Sequence, residues 1–147
     1  MYSLILLAHL LAACIWTGGH LILALRILPE ALRQEGDVTA IQAFEQRYEP
    51  LGLPALAIQV ASGLWLANAR QPDWGRWLDP ADPASAPIAA KLLLLGLTVI
   101  LALHARLRLI PDLSAARLPA LARHIAGVTV LAVLFVVAGV SLRTGGF

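Results

Sequence analysis

The sequence predicts an all-α integral membrane protein, a four-helix antiparallel bundle, from three observations. Of 147 residues, 59% are hydrophobic and 14% charged, whereas soluble domains carry roughly a quarter charged residues. The chain's mean hydropathy is +0.77, and its apolar residues gather in four blocks of about 20 residues, each able to cross roughly 30 Å of hydrocarbon. The blocks lack apolar–polar alternation, and backbone in lipid must bond internally, so they are helices rather than barrel strands. The length accommodates a single transmembrane domain over residues 1–147 and excludes large soluble enzyme folds.

The first span is expected over about residues 3–28, closed by Pro29. Residues 1–3 hold no Lys or Arg, and the apolar run outlasts a secretory h-region of about 7–15 residues, so it reads as a retained span. Residues 30–49 are charged, yet Val38, Ile41, Phe44 and Tyr48 recur at helical spacing and predict a short amphipathic helix on the membrane surface. The second span, about 51–69, is opened by Pro50, with Pro54 in its first turn, where proline is tolerated. Residues 70–86 form a loop with Pro72, Pro80 and Pro83, whose Trp74 and Trp77 suit the interfacial belt. The third span, about 88–110, lies between Pro87 and Pro111; a turn at 113–118 leads to the fourth, about 120–142, after Pro119.

Net charge is +2. The basic residues flank the apolar blocks, where cations mark a membrane surface, so nucleic acid is rejected as a partner and the lipid bilayer is the expected one. Arg70, Arg76, Lys91 and Arg143 fall at one end of the bundle; Arg26, Arg33, Arg47, Arg106, Arg108, Arg117 and Arg123 fall at the other. The second end is therefore expected in the cytoplasm, with both termini outside. One cysteine, Cys14, permits neither an internal disulfide nor a multi-cysteine zinc site.

Polar groups within a bilayer need partners, which singles out His9, His20, Gln59, Lys91, His104 and His124. His9 and His20 lie about 20° apart around the first helix and roughly 16 Å apart along it, with Trp16 and Ala13 on the same stripe. Tyr48, Gly52, Ala55, Gln59, Ser62 and Gly63 form a small and polar stripe suited to an inward face, with Gln59 expected near the depth of His20. Lys91 shares a small-residue face with Thr98, Ala102 and Ala105, while His104 turns about 140° away.

Each residue also has a plainer reading. His20 would bond to Gln59 and hold helices together, His9 would bond near the outer interface, and Lys91 would snorkel. His104 would sit among headgroups, and Trp16 and Cys14 would simply pack. Against these stands a site built from imidazoles. Heme b leads, since bundles hold the macrocycle between inward faces and imidazole binds its iron; copper is the alternative, with imidazoles holding Cu(II) in a chain poor in Met and Cys. No HExxH arrangement, phosphate loop or Ser/His/Asp constellation is present.

His9, Trp16 and Gly19 in the first helix, Pro54 and Gly63 in the second, and Lys91 opening the third resemble the superfamily joining copper resistance protein D (CopD) membrane domains to HemJ-type protoporphyrinogen IX oxidases. The segments 44–54 and 139–146 look more like small CopD-like proteins. The resemblance implies a helical membrane protein associated with heme b or copper; the expected location is the bacterial inner (cytoplasmic) membrane, with both termini periplasmic by the charge balance. It also implies that His9 and Lys91 are the functional pair. Chains of the full CopD type are about twice as long, and His20 and His124 stand outside the HemJ-type pattern.

The resulting expectation is a heme-b protein with a redox role, either electron transfer or oxidation of a membrane-soluble partner such as a quinone or porphyrin. His20 and His124 are the expected axial ligands, with His9 and His104 as further metal-binding candidates and His9 with Lys91 as a catalytic pair. Gln59, Tyr48, Trp16 and Arg143 would line the cofactor. The alternatives are a copper-binding or copper-transport protein using the same histidines and a non-catalytic assembly subunit. A homodimer would complete a site whose second ligand one chain lacks.

Overall fold

The computed structural model describes residues 1–34, 37–79, 81–111 and 113–144, with side chains through residue 141. Helix α1 (Tyr2–Ile22) continues through a π-helical turn (Leu23–Ile27) into α2 (Leu28–Arg33). Helix α3 is Thr39–Arg70, α4 is Ala86–His104 with a second π turn at Ala105–Leu109, and α5 is Leu118–Thr144. Among the described residues four helices are long and apolar enough to cross a membrane, and the protein is an all-α, four-helix antiparallel membrane bundle.

Both π turns end two residues before a proline, Pro29 and Pro111. A proline offers no N–H to the carbonyl four residues back and its ring crowds it, so the ladder slips. The Ile110 amide accordingly bonds the Ala105 carbonyl at 2.9 Å.

One expectation needs correction. The stretch 39–48 is helical, but it is not a separate surface helix, and Pro50 does not open the second span. Both belong to α3, 32 residues long, which contains Pro50 and Pro54 and spans about 48 Å. The cause is packing: Ile41, only 1% exposed, joins Leu23, Leu28, Ala31, Leu109 and Leu118 in a core at this end, with Val38 and Phe44 against it. The amphipathic face meets the bundle instead of the bilayer surface.

Helix α1 is the hub, packed on α3 and α5, and α5 packs on α4; α3 and α4 hardly touch. The bundle thus has an open side between α3 and α4. The remaining surface, including Leu4, Leu7, Leu10, Leu25, Leu93 and Leu107, is exposed and apolar, as a lipid-facing surface must be.

The loop between α3 and α4 is well bonded. Asp82, buried, accepts from the Ala84 amide at 2.9 Å and the Ser85 hydroxyl at 3.2 Å, bonds Gln71, and pairs with Arg76 at 3.6 Å. Trp77 donates to the Gln71 carbonyl at 2.8 Å, Trp74 to Asn68 at 2.5 Å, and the two indoles stack.

Candidate functional site

The polar residues separate into two layers joined by α1 and α3. In the first, the Ser62 hydroxyl donates to the Ile58 carbonyl at 2.5 Å. Its oxygen is thereby left to accept from His9 Nδ1 at 2.9 Å. Bonding through Nδ1 leaves the lone pair on Nε2. Gly63 makes room for the ring, since a Cβ there would lie 3.1 Å from His9 Cε1. The Lys91 Nζ lies against Gly139, 3.7 Å from where a Cβ would be.

The second layer surrounds Tyr48. Its hydroxyl donates to the carbonyls of Ile15 at 2.9 Å and Trp16 at 3.3 Å, and its ring occupies space that only the glycines Gly19 and Gly52 leave open. Phe44 stacks on it at 5.2 Å and His20 meets its edge. His20 lies against Trp16 with the rings tilted by 49° and centroids 4.4 Å apart, and it bonds through Nδ1 to the Trp16 carbonyl at 2.9 Å, leaving Nε2 as acceptor. Trp16 itself is core, packed with Val128 and Ala132.

The predicted His20–Gln59 bond does not form. His20 finds its partner one helical turn back, and Gln59 is not at its depth. His9 pairs with Ser62 and Tyr48 with Ile15, so Gln59, three residues before Ser62, lies nearer the His9 layer. Its Oε1 is buried without a hydrogen-bond partner among the described residues.

His124 bonds through Nδ1 to the Ala120 carbonyl at 3.1 Å, and His104 Nδ1 lies 2.8 Å from its Nε2 with the rings stacked. His104 is exposed, as its helix position predicts, yet it is tied to His124. Arg143 lies near the end of α5, its side chain outside the described residues.

A cleft of about 170 Å³ occupies the open side of the bundle. His20, Tyr48, His124, Ala102 and Ala105 are among the residues that line it. Its charged lining residues, Glu45, Glu49 and Arg106, are not among the candidates the sequence singled out. The Arg106 guanidinium, on the second π turn, donates to Glu49 Oε1 at 2.5 Å and bridges α3 to α4. Among the described residues no three His, Cys, Asp or Glu side chains converge to hold a metal ion.

Comparison with curated proteins and with solved structures finds no match. The profile of the family described as CopD, copper resistance protein D, matches residues 42–142, a stretch that holds Tyr48, Glu49, Ser62, Lys91, His104, Arg106 and His124. The chain belongs to the copper resistance protein D family.

Proposed function

We propose that the protein handles copper ions through the cleft between α3 and α4, with Cu(II) as cargo. The observation that carries this reading is the donor set: His20 and His124 in the wall, His104 tied to His124, and carboxylates alongside. Imidazole and carboxylate suit Cu(II), whereas cuprous sites favour thioether and thiolate. Cys14 is exposed on α1, outside the cleft.

Size favours an ion over heme b, the first expectation from the sequence. The cleft, about 170 Å³, falls short of the roughly 300–1,000 Å³ of sites for drug-sized ligands, so a porphyrin would have to part the helices. A redox role with a quinone or porphyrin partner loses support for the same reason, and family membership favours copper. The shared lining of one cleft by His20 and His124 favours that cleft over the His9 layer as the copper site. The basic residues concentrated at the cleft end favour a cytoplasmic position for it in a bacterial inner membrane, with both termini periplasmic.

Equilibrium dialysis of Cu(II) against the protein in lipid nanodiscs tests the reading. The expected result is one ion per chain, held at least tenfold less tightly after His124→Ala or His20→Ala. Absence of binding, unchanged binding in the double variant, or isolation with a porphyrin Soret band contradicts it.

A further inference from the structure

We propose that the protein contacts phospholipid headgroups at two levels set by its own side chains. Trp74 and Leu78 seat one end in the interfacial layer, and the Glu49–Arg106 ion pair lies among headgroups at the other. The cleft then opens to headgroups rather than to hydrocarbon, and the part of the bundle beyond it stands outside the bilayer as a cap. Nothing in this depends on what the cleft binds.

The first level comes from the loop between α3 and α4. Trp77 is buried and donates to the Gln71 carbonyl, so it takes no part in an interfacial belt. Trp74 and Leu78 are exposed. The Trp74 indole folds back to bond Asn68, two residues inside the end of α3, which sets it beside the helix about 3 Å back from that end. Tyr2, which opens α1, meets Trp65 of α3 at the same end, with ring centroids 6.1 Å apart. Aromatic rings gathered at one level suit a membrane interface.

The second level follows from helix length. About twenty helical residues cross roughly 30 Å of hydrocarbon. Followed from Tyr2 along α1, from Arg70 back along α3 and from Ala86 along α4, that length reaches Ile22, Pro50 and Arg106. The three helices arrive together, since Leu23, Glu49 and Arg106 line one cleft. The surface of α3 changes at the same point: Thr39, Ala40, Gln42, Ala43, Gln46 and Arg47 are exposed before it, and Leu51, Leu53, Ile58 and Leu64 after it. The Glu49 and Arg106 side chains are themselves 40% and 57% exposed, a state that hydrocarbon penalises and hydrated headgroups accommodate.

Packing points the same way. Helices gain much from burying apolar surface in water and little in lipid. Ile41 and Leu118, the two largest fully buried side chains among the described residues, both lie past the second level, in one core with Leu28, Ala31 and Leu109.

Spin labels on single cysteines of the full chain, with Cys14→Ala as background, test the second level in phosphatidylcholine nanodiscs. Collision with oxygen, which favours hydrocarbon, and with a neutral nickel chelate, which favours water, is read at Gln42→Cys, Gln46→Cys, Leu53→Cys, Ile58→Cys and Leu64→Cys. All five positions are exposed, so a label there leaves the packing intact. The ratio of nickel to oxygen collisions is expected to fall about tenfold between Gln46 and Leu53. A fall elsewhere along α3, or no fall, overturns the second level. For the first level, phosphatidylcholine brominated near the headgroup should quench Trp74 more than lipid brominated near the chain ends, read as the difference between the wild-type chain and Trp74→Phe. Equal quenching, or none, overturns it. No copper enters either measurement, so both stand apart from the copper reading.

Discussion

The Tyr48 ring occupies the space where a Cβ on Gly19 would sit, so α1 and α3 approach at that level only because residue 19 has no side chain. Small residues permit such approach in membrane bundles, where apolar burial gives helices little reason to associate.

Gly19→Ala should destabilise the bundle by about 1–3 kcal/mol through overpacking. Gly18→Ala, with nothing within 4 Å of the added Cβ, should be neutral or stabilising by up to about 1 kcal/mol. Thermal unfolding in one detergent compares them. Equal effects would mean that the glycine pair answers to helix propensity and not to Tyr48.

Ser62→Ala removes the acceptor for His9 Nδ1–H at the price of about 1 kcal/mol. Nitrogen NMR should then report loss of the single tautomer at His9, with His20 unchanged because its partner is the Trp16 carbonyl. Movement of both signals together would contradict two separate layers.

The spans were legible because long apolar runs punctuated by proline leave few alternatives. Gly63 beside His9 and Gly139 beside Lys91 now give physical meaning to positions that carried the family resemblance. The Glu49–Arg106 bridge was not legible: the two residues are 57 positions apart, and their meeting depends on which helices pack together. Nor was the continuity of α3, because a helical wheel cannot say whether an apolar stripe faces a bilayer or Leu23 and Leu28. Gln59 was misplaced in depth because register between helices follows side-chain pairs such as His9 with Ser62.

Pro50→Ala restores a donor to the Gln46 carbonyl and should stabilise α3, by up to about 3 kcal/mol. The unfolding temperature should therefore rise; an unchanged or lower one would mean that the Gln46 carbonyl already finds another partner.

Asp82 gives the loop between α3 and α4 a dependence on acid. The Ala84 amide first, then Ser85, Gln71 and the charge of Arg76, hold its carboxyl below the ordinary value of 3.8, against the opposing effect of burial. The stabilisation is complete above that value and is lost as pH falls below it through the folded-state pKa. Tryptophan fluorescence should register loosening around Trp74 and Trp77 in that acidic range. Asp82→Asn should abolish the step, and a step that survives the change assigns it to another group.

The most direct test of the central claim is electron paramagnetic resonance of the Cu(II)-loaded protein carrying ¹⁵N-labelled histidine. The account predicts nitrogen coupling from imidazole that responds to the label and disappears in the His20→Ala/His124→Ala variant. A spectrum of all-oxygen copper, the same with or without those two rings, would contradict it.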